Sequence, residues 1–350
     1  MRKKKILYGV PGEGMGHATR SKVIITWLLA QGHEVKVLAS SRAFTFLNKS
    51  FPGNVMEIEG LHLSYKNAAV SVFGSFWINF KRIHKLFGSN LIKFLKLSHH
   101  YRPDLVITDF ESFAHLFGWV HQIPMICIDN IQVNNRCLLD IEIPASEKFN
   151  LWLAQEITAS KVPASKTFLI SSFFKAEVIK PDTLIVPPII REVIEKTKPH
   201  QAEHILMYQT SASLKNVETV LHQFPNQPFI VYGLNREEVK QNIRFKPFSE
   251  EEFIADLASS KAVIANGGFS FICEAVYLKK PIYSFPVQGQ FEQYINAAYL
   301  QKLGYGKHAK DLNTKDLTAF FETLNSYQIN LSNYSQQGNQ VVFETLKQLL

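Results

Sequence analysis

His17 closes a turn in which Gly12, Gly14 and Gly16 alternate with other residues. The turn follows an apolar run, Lys5–Val10, and precedes a helical pattern over 18–31. Glycines at such a place let the backbone turn tightly and leave room for a ligand. The carboxyl end of a strand is where open α/β sheets hold their ligands. A helix N-terminus disfavours an imidazolium, so His17 is expected to be neutral and able to accept a proton. A surface or cap-region histidine is the alternative. Asp109 ends a second apolar run over 104–108. Strand ends of one parallel sheet share an edge, so Asp109 could meet His17 there. A carboxylate on one imidazole nitrogen fixes the tautomer and stabilises the cation formed at the other. Capping of the following helix is the competing role for Asp109.

Two phosphate motifs do not fit the first turn. The dinucleotide fingerprint needs a third glycine where His17 stands, and an acid about 20 residues further on. The second strand runs into 40–41 without one, and no Gly-Lys-Ser/Thr step follows the turn.

A second cluster lies late in the chain. Gly267 and Gly268 join an apolar run, Ala262–Ala265, to a helical pattern that carries Glu274. Such a turn presents free N–H groups of the kind that bind phosphate. Gln288, Glu292 and Gln293, side chains suited to vicinal hydroxyls, follow the next strand. Ser211 and Ser213 follow the strand at 204–208 and suit a second phosphate contact. The pairs Asp109/Glu111 and Asp140/Glu142 superficially resemble metal-binding acids. Solvated or capping acids are commoner at such places, so no metal is expected.

These residues need a scaffold. Apolar runs at Lys5–Val10, Glu34–Ala39, 54–58, 104–108, 124–128 and 167–170 alternate with helical patterns, and the alternation restarts at 204–208, 228–232, Ala262–Ala265 and 281–285. Repeated β–α alternation implies parallel sheets covered on both faces, and two runs imply two doubly wound domains. The length of 350 residues agrees with two domains of about 150 residues each. The proline-marked, polar stretch after residue 186 separates the runs. The boundaries read as 1–195, a linker over 196–202, 203–335, and a C-terminal helix over 336–350 returning toward the first domain. Cys127, Cys137 and Cys273 are three, far apart and outside any C-x-x-C pair, which argues against a disulfide framework or cysteine zinc site and fits a reducing cytoplasm. The basic start leads into an apolar stretch too short for a signal peptide, and no 18-residue apolar run is present.

With those residues in this order, the chain resembles the GT-B glycosyltransferases: the UDP-glucuronosyltransferases, the macrolide glycosyltransferases and the peptidoglycan GlcNAc transferase that forms lipid II. The resemblance spans nearly the whole chain, from Gly12–His17 to the 266–296 segment. It implies an α/β GT-B fold, two Rossmann-like doubly wound parallel-sheet domains facing a central cleft. It also implies an inverting, metal-independent transfer from a nucleotide sugar, a UDP-sugar favoured, to an acceptor hydroxyl. Residue by residue, His17 matches the general base and Asp109 its partner. Glu274 matches the acid that binds the donor ribose, and Glu292 with Gln293 the pair that holds the donor sugar. Gly267, Gly268, Ser211 and Ser213 match the diphosphate contacts, and the backbone near Phe248 the place of the base ring. The sequence departs from the family in lacking the plant His-Cys-Gly-Trp signature and the Gly-Gly-Thr-Gly-Gly-His turn. No cofactor beyond the nucleotide-sugar co-substrate is implied. A sugar-nucleotide epimerase on the same scaffold and a non-catalytic nucleotide-sugar binder are the rival readings.

Charge bears on the acceptor. The formal net charge is +8, yet residues 1–100 carry 15 Lys+Arg against 4 Asp+Glu, and no acid occurs over 60–103. In that segment Phe73, Phe76, Trp77 and Phe80 recur at helical spacing, with Lys81, Arg82 and Lys85 beside them. The aromatics either pack on the first domain or meet an anionic membrane together with the basic residues. The second case fits an amphiphilic or glycan acceptor, cell-envelope glycan synthesis, and a cytoplasmic enzyme held at the inner face of the cytoplasmic membrane. A nucleic-acid partner is not expected, because no helix-turn-helix or RNA-binding signature occurs.

Overall fold

The computed structural model describes residues 2–12, 14–60, 64–66, 69–71, 83–209 and 216–350. A seven-stranded, wholly parallel sheet carries the first half. Its strands are β1 (Lys5–Val10), β2 (Glu34–Ala39), β3 (Val55–Glu57), β4 (Leu105–Thr108), β5 (Met125–Asp129), β6 (Thr167–Ser171) and β7 (Thr183–Val186), in the order β7-β6-β5-β4-β1-β2-β3. A second seven-stranded sheet carries β8 (Ile205–Tyr208), β9 (Phe229–Tyr232), β10 (Glu238–Lys240), β11 (Ile243–Lys246), β12 (Ala262–Ala265), β13 (Ile282–Ser284) and β14 (Gly306–His308), in the order β10-β11-β9-β8-β12-β13-β14. Only the β10–β11 pairing is antiparallel there. In each sheet the first strand lies between one that follows it directly and one reached by a crossover. Both strand orders therefore reverse at β1 and at β8, the switch points where such sheets bind ligands.

Strands buried on both faces explain the near-continuous apolar runs. Along β1, Ile6, Tyr8 and Val10 pack with Ile24 and Leu28 of helix α1 (Met15–Ala30), while Leu7 points to the other face with Ala114 and Phe117. Those two belong to α3 (Ser112–Val120), which neighbours α2 (Ile83–His100). Gly9 permits the close approach of α3: a Cβ on it would stand 2.5 Å from the Ala114 Cβ. The second sheet puts Met207 against Leu221 and Phe320, and Leu206 in a cluster with Ile272 and Val276.

That last cluster is shared between the halves. It includes Val133, Ile170, Phe174 and Ile190 from the first half, and the Phe174 ring stacks on Tyr299 at 3.6 Å. The chain passes between the sheets through a short helix, Glu192–Glu195. Beyond it, the His200 and Ala202 N–H groups donate to Ala258 and Ser259 of the second half at 3.0 and 2.7 Å. The final helix, α7 (Gln340–Leu349), lies on the first half: Val342 and Leu346 join the β1 core, and Phe343 stacks on Trp27 at 5.1 Å. Helices α4 (Lys148–Lys161), α5 (Phe269–Tyr277) and α6 (Phe291–Lys302) complete the elements that bear on the site.

Candidate active site

The site begins where β1 gives way to α1. Gly12 lies so close to Ser40 that a Cβ there would stand 2.6 Å from the Ser40 Oγ. Gly14 caps α1 at φ 80°, a left-handed conformation that favours glycine. His17 then falls in the first turn of α1. The Asp109 N–H donates to the Gly9 carbonyl at 2.9 Å, which sets the end of β4 beside the end of β1. Phe110, at φ 57°, turns the chain away from the strand.

His17 and Asp109 meet at this edge, Nδ1 to Oδ1 at 2.8 Å. Asp109 is 1% exposed. It does not cap the following helix. Glu111 does, its carboxylate accepting from the Phe113 and Ala114 N–H groups at 2.8 and 2.7 Å.

Arg20, one turn beyond His17 on α1, is a residue the sequence reading missed. Its Nε donates to Asp109 Oδ2 at 2.7 Å and its Nη2 to Oδ1, a fork on the buried carboxylate. Ser21 Oγ donates to the same Oδ2 at 3.0 Å. Burial alone would raise the Asp109 pKa. The Arg20 guanidinium, with His17, overcomes that and holds the carboxyl well below the usual carboxylate range. Asp109 thus stays an anion. His17 Nδ1 lies 2.8 Å from both Asp109 Oδ1 and Arg20 Nη2; in the tautomer whose Nδ1–H donates to Asp109, Nε2 is the nitrogen left to accept a proton. A signal for Arg20 was present: it shares a helix face with Ile24 and Leu28 at four-residue spacing, and an arginine on an apolar stripe needs a buried anion.

The next strand end adds Asn130. Its Oδ1 accepts from Arg20 Nη1, and its Nδ2 donates to Glu292 Oε1 of α6 at 2.8 Å. Beside it, Asp129 is buried, with the Cys127 thiol and the Gln132 N–H donating to it at 3.0 and 2.8 Å. Burial pushes its pKa up. Asn130 was also absent from the sequence reading, because nothing local marks it.

The second half brings its glycine turn to the same place. A Cβ on Gly16 would lie 2.7 Å from the Ser270 Oγ, so the start of α1 abuts the start of α5. Gly267 is pressed against α6: a Cβ on it would stand 2.3 Å from the Gln293 carbonyl oxygen. Gln293 braces the turn, its Oε1 accepting from the Gly267 and Val287 N–H groups at 3.2 and 2.9 Å. Its amide NH₂ donates to Gln290. Asn296 holds the Gly267 carbonyl at 2.9 Å. Gly268 caps α5 in extended backbone, and Gln288 is exposed in the loop before α6.

Glu274 has a partner that the sequence did not announce. Arg191, at the passage between the sheets, grips it with Nε and Nη2 at 2.6 and 2.7 Å, and its Nη1 reaches Glu250 at 2.6 Å. Phe248 is exposed and lies beside Phe253, 5.6 Å between ring centres. Asp140 pairs with Lys302, and the Glu142 carbonyl accepts from Tyr294; among the described residues no group of three or more His, Cys, Asp or Glu is placed to hold a metal ion. Ser211, Ser213, Phe73, Phe76, Trp77, Phe80, Lys81 and Arg82 lie outside the described residues, and Lys85 falls on α2.

Comparison with known proteins identifies the family. The model of glycosyl transferase family 1 matches residues 4–325. An uncharacterized glycosyltransferase of Methanosarcina acetivorans is 26% identical over 326 residues, covering 87% of this chain and 85% of the relative. The UDP-N-acetylglucosamine–N-acetylmuramyl-(pentapeptide) pyrophosphoryl-undecaprenol N-acetylglucosamine transferase 1 of Bacillus thuringiensis is 23% identical, covering 96% of this chain and 93% of the relative. The structure of Phytolacca americana UGT2, complexed with UDP-2fluoro-glucose and pterostilbene, superposes with a TM-score of 0.68 at 12% identity over 99% of this chain and all of that one. None of these likenesses favours an epimerase or a non-catalytic binder. The chain belongs to glycosyl transferase family 1 and is a glycosyltransferase of the GT-B fold.

Proposed function

We propose that this enzyme transfers a sugar from a UDP-sugar to an acceptor hydroxyl with inversion and without a metal. The observation that carries the reading is the His17–Asp109 pair at the start of α1, directly across from the glycine turn that opens α5. The acceptor hydroxyl sits at His17 Nε2, which takes its proton as the oxygen attacks the anomeric carbon. The bond from that carbon to the phosphate oxygen breaks as the new one forms, so the configuration inverts. Asp109 stabilises the imidazolium that results. The diphosphate leaves with its electron pair against the N-terminus of α5, where Gly267 and Gly268 leave the backbone open. Glu274 and Glu292 accept from the ribose and sugar hydroxyls. In that role Glu274 has to share or exchange its grip on Arg191.

The choice of donor draws on two similar proteins: one relative is named for a UDP-N-acetylglucosamine reaction, and the other was solved with UDP-2fluoro-glucose. The acceptor is lipid-linked, by the same relative's name and by one surface. Leu91, Ile92 and Leu95 of α2 are each more than half exposed, with Lys93 and Lys96 between and beside them. Trp119 and Val120 of α3 are exposed as well, and α3 packs on α2 through Phe117 and Phe94 at 5.2 Å. Apolar side chains interleaved with lysines suit the headgroup region of an anionic membrane. Phe94 itself points inward, onto Phe113 and Phe117.

A screen of UDP-, GDP- and dTDP-sugars for thermal stabilisation tests the donor, since stabilisation follows ligand concentration over its dissociation constant. A UDP-sugar is expected to raise the melting temperature most and to release UDP when lipid extract is added. Stabilisation by GDP- or dTDP-sugars alone would contradict the assignment.

A further inference from the structure

We propose that Arg20 and Asn130 are positioning residues that couple the donor-sugar carboxylate Glu292 to the base His17. The inference rests on the roles given above to those two end residues. An unbroken chain of hydrogen bonds runs from His17 to Asp109, from Asp109 to Arg20, from Arg20 to Asn130, and across the cleft from Asn130 to Glu292. Its middle members are nearly sealed from solvent: Asp109 is 1% exposed, and Arg20 and Asn130 are each 4% exposed. Hydrogen bonds in so dry a place hold geometry firmly.

The chemistry of each link is specific. The guanidinium turns Nε and Nη2 to Asp109 and Nη1 to Asn130, and the same Nη2 lies 2.8 Å from His17 Nδ1. An ammonium has no such planar fork. Asn130 stands between a cation and an anion, and an amide is suited to both. Its oxygen accepts from Arg20 and its NH₂ donates to Glu292. An aspartate there could accept from Arg20 but would face Glu292 with a like charge. The pair Asn130–Glu292 bridges residues 162 apart in sequence and joins the two halves of the enzyme. A sugar that engages Glu292 must therefore share it with Asn130. The resulting adjustment reaches the imidazole from Arg20, directly and by way of Asp109, so the base is set in place when the donor is.

The test is imidazole ¹⁵N NMR of His17 in the full chain, for wild type, Glu292→Gln and Asn130→Asp, with and without UDP-glucose. Neither substituted side chain touches the ring, and Glu292 is half-buried, so Glu292→Gln keeps the fold. Both substitutions are expected to move the His17 resonances. UDP-glucose is expected to move them in wild type and to lose that effect in Asn130→Asp. Turnover of Asn130→Asp should fall by up to about 10²-fold, the cost of a small misplacement, with UDP affinity within about twofold of wild type. His17 resonances indifferent to both substitutions overturn the proposal. If UDP-glucose fails to bind while Glu292→Gln still moves His17, the donor reading is contradicted and the coupling stands.

Discussion

Asp109 is a buried anion that needs its cation. Removing the partner of a buried ion pair costs about 3–5 kcal/mol, because a charge is left without compensation. Arg20→Met should therefore be destabilised by about that amount at neutral pH, measured by urea unfolding. The pH dependence has a definite sign. The folded Asp109 pKa lies below its ordinary value of 3.8, so its stabilisation is complete above that pH and is lost as pH falls further, toward the folded value. In Arg20→Met burial dominates and the carboxyl takes up a proton more readily. The gap between variant and wild type should be widest near neutrality and narrow below about pH 4. A gap that does not change with pH would remove the Arg20–Asp109 pair as its cause. The contrast among these residues also shows what a sequence can announce. His17 and Asp109 were legible from local features, because one closes a glycine turn after an apolar run and the other ends such a run. Asn130 and Arg191 owe their roles to partners 162 and 83 positions away, which no local pattern records.

At the scale of elements, the glycine turns act through close packing. Gly267 lies against the backbone of α6, and its neighbour there is a carbonyl oxygen that no side-chain rotation can clear. Gly267→Ala should cost about 1–3 kcal/mol, as overpacking does, and should lower the affinity for UDP in the same thermal-shift assay. An alanine variant of unchanged stability and UDP affinity would show that the turn is looser than this contact implies. The strands that carry the site were readable from apolar runs, because parallel strands are buried on both faces. Those missed in the two seven-stranded sheets are short and lie toward the sheet edges. Glu238–Lys240, Ile243–Lys246 and Gly306–His308 mix charged with apolar residues, and Thr183–Val186 merges into the proline stretch read as a boundary. The helix read over 18–31 starts earlier, at Met15, because Gly14 supplies the cap that the pattern of side chains alone did not reveal.

At the scale of the molecule, two sheets share one apolar cluster and close their glycine turns on each other, with Arg191 and Asn130 tying the halves through Glu274 and Glu292. Among the described residues no helix is long and apolar enough to cross a membrane. Flotation with anionic liposomes at low salt should recover the protein. Replacing Lys93 and Lys96 by glutamate should release it, at about 1 kcal/mol for each basic residue lost near the surface. No flotation of the wild type would contradict the membrane reading. The function proposed above gives the excess charge of the first hundred residues to acceptor delivery, and the chemistry to the His17–Asp109 dyad. That chemistry is tested most directly by UDP release from a UDP-sugar in wild type and His17→Ala, alongside UDP thermal shifts for both. A loss of about 10²–10⁴-fold in turnover with an undiminished UDP shift is the predicted result; full turnover by His17→Ala would contradict the account.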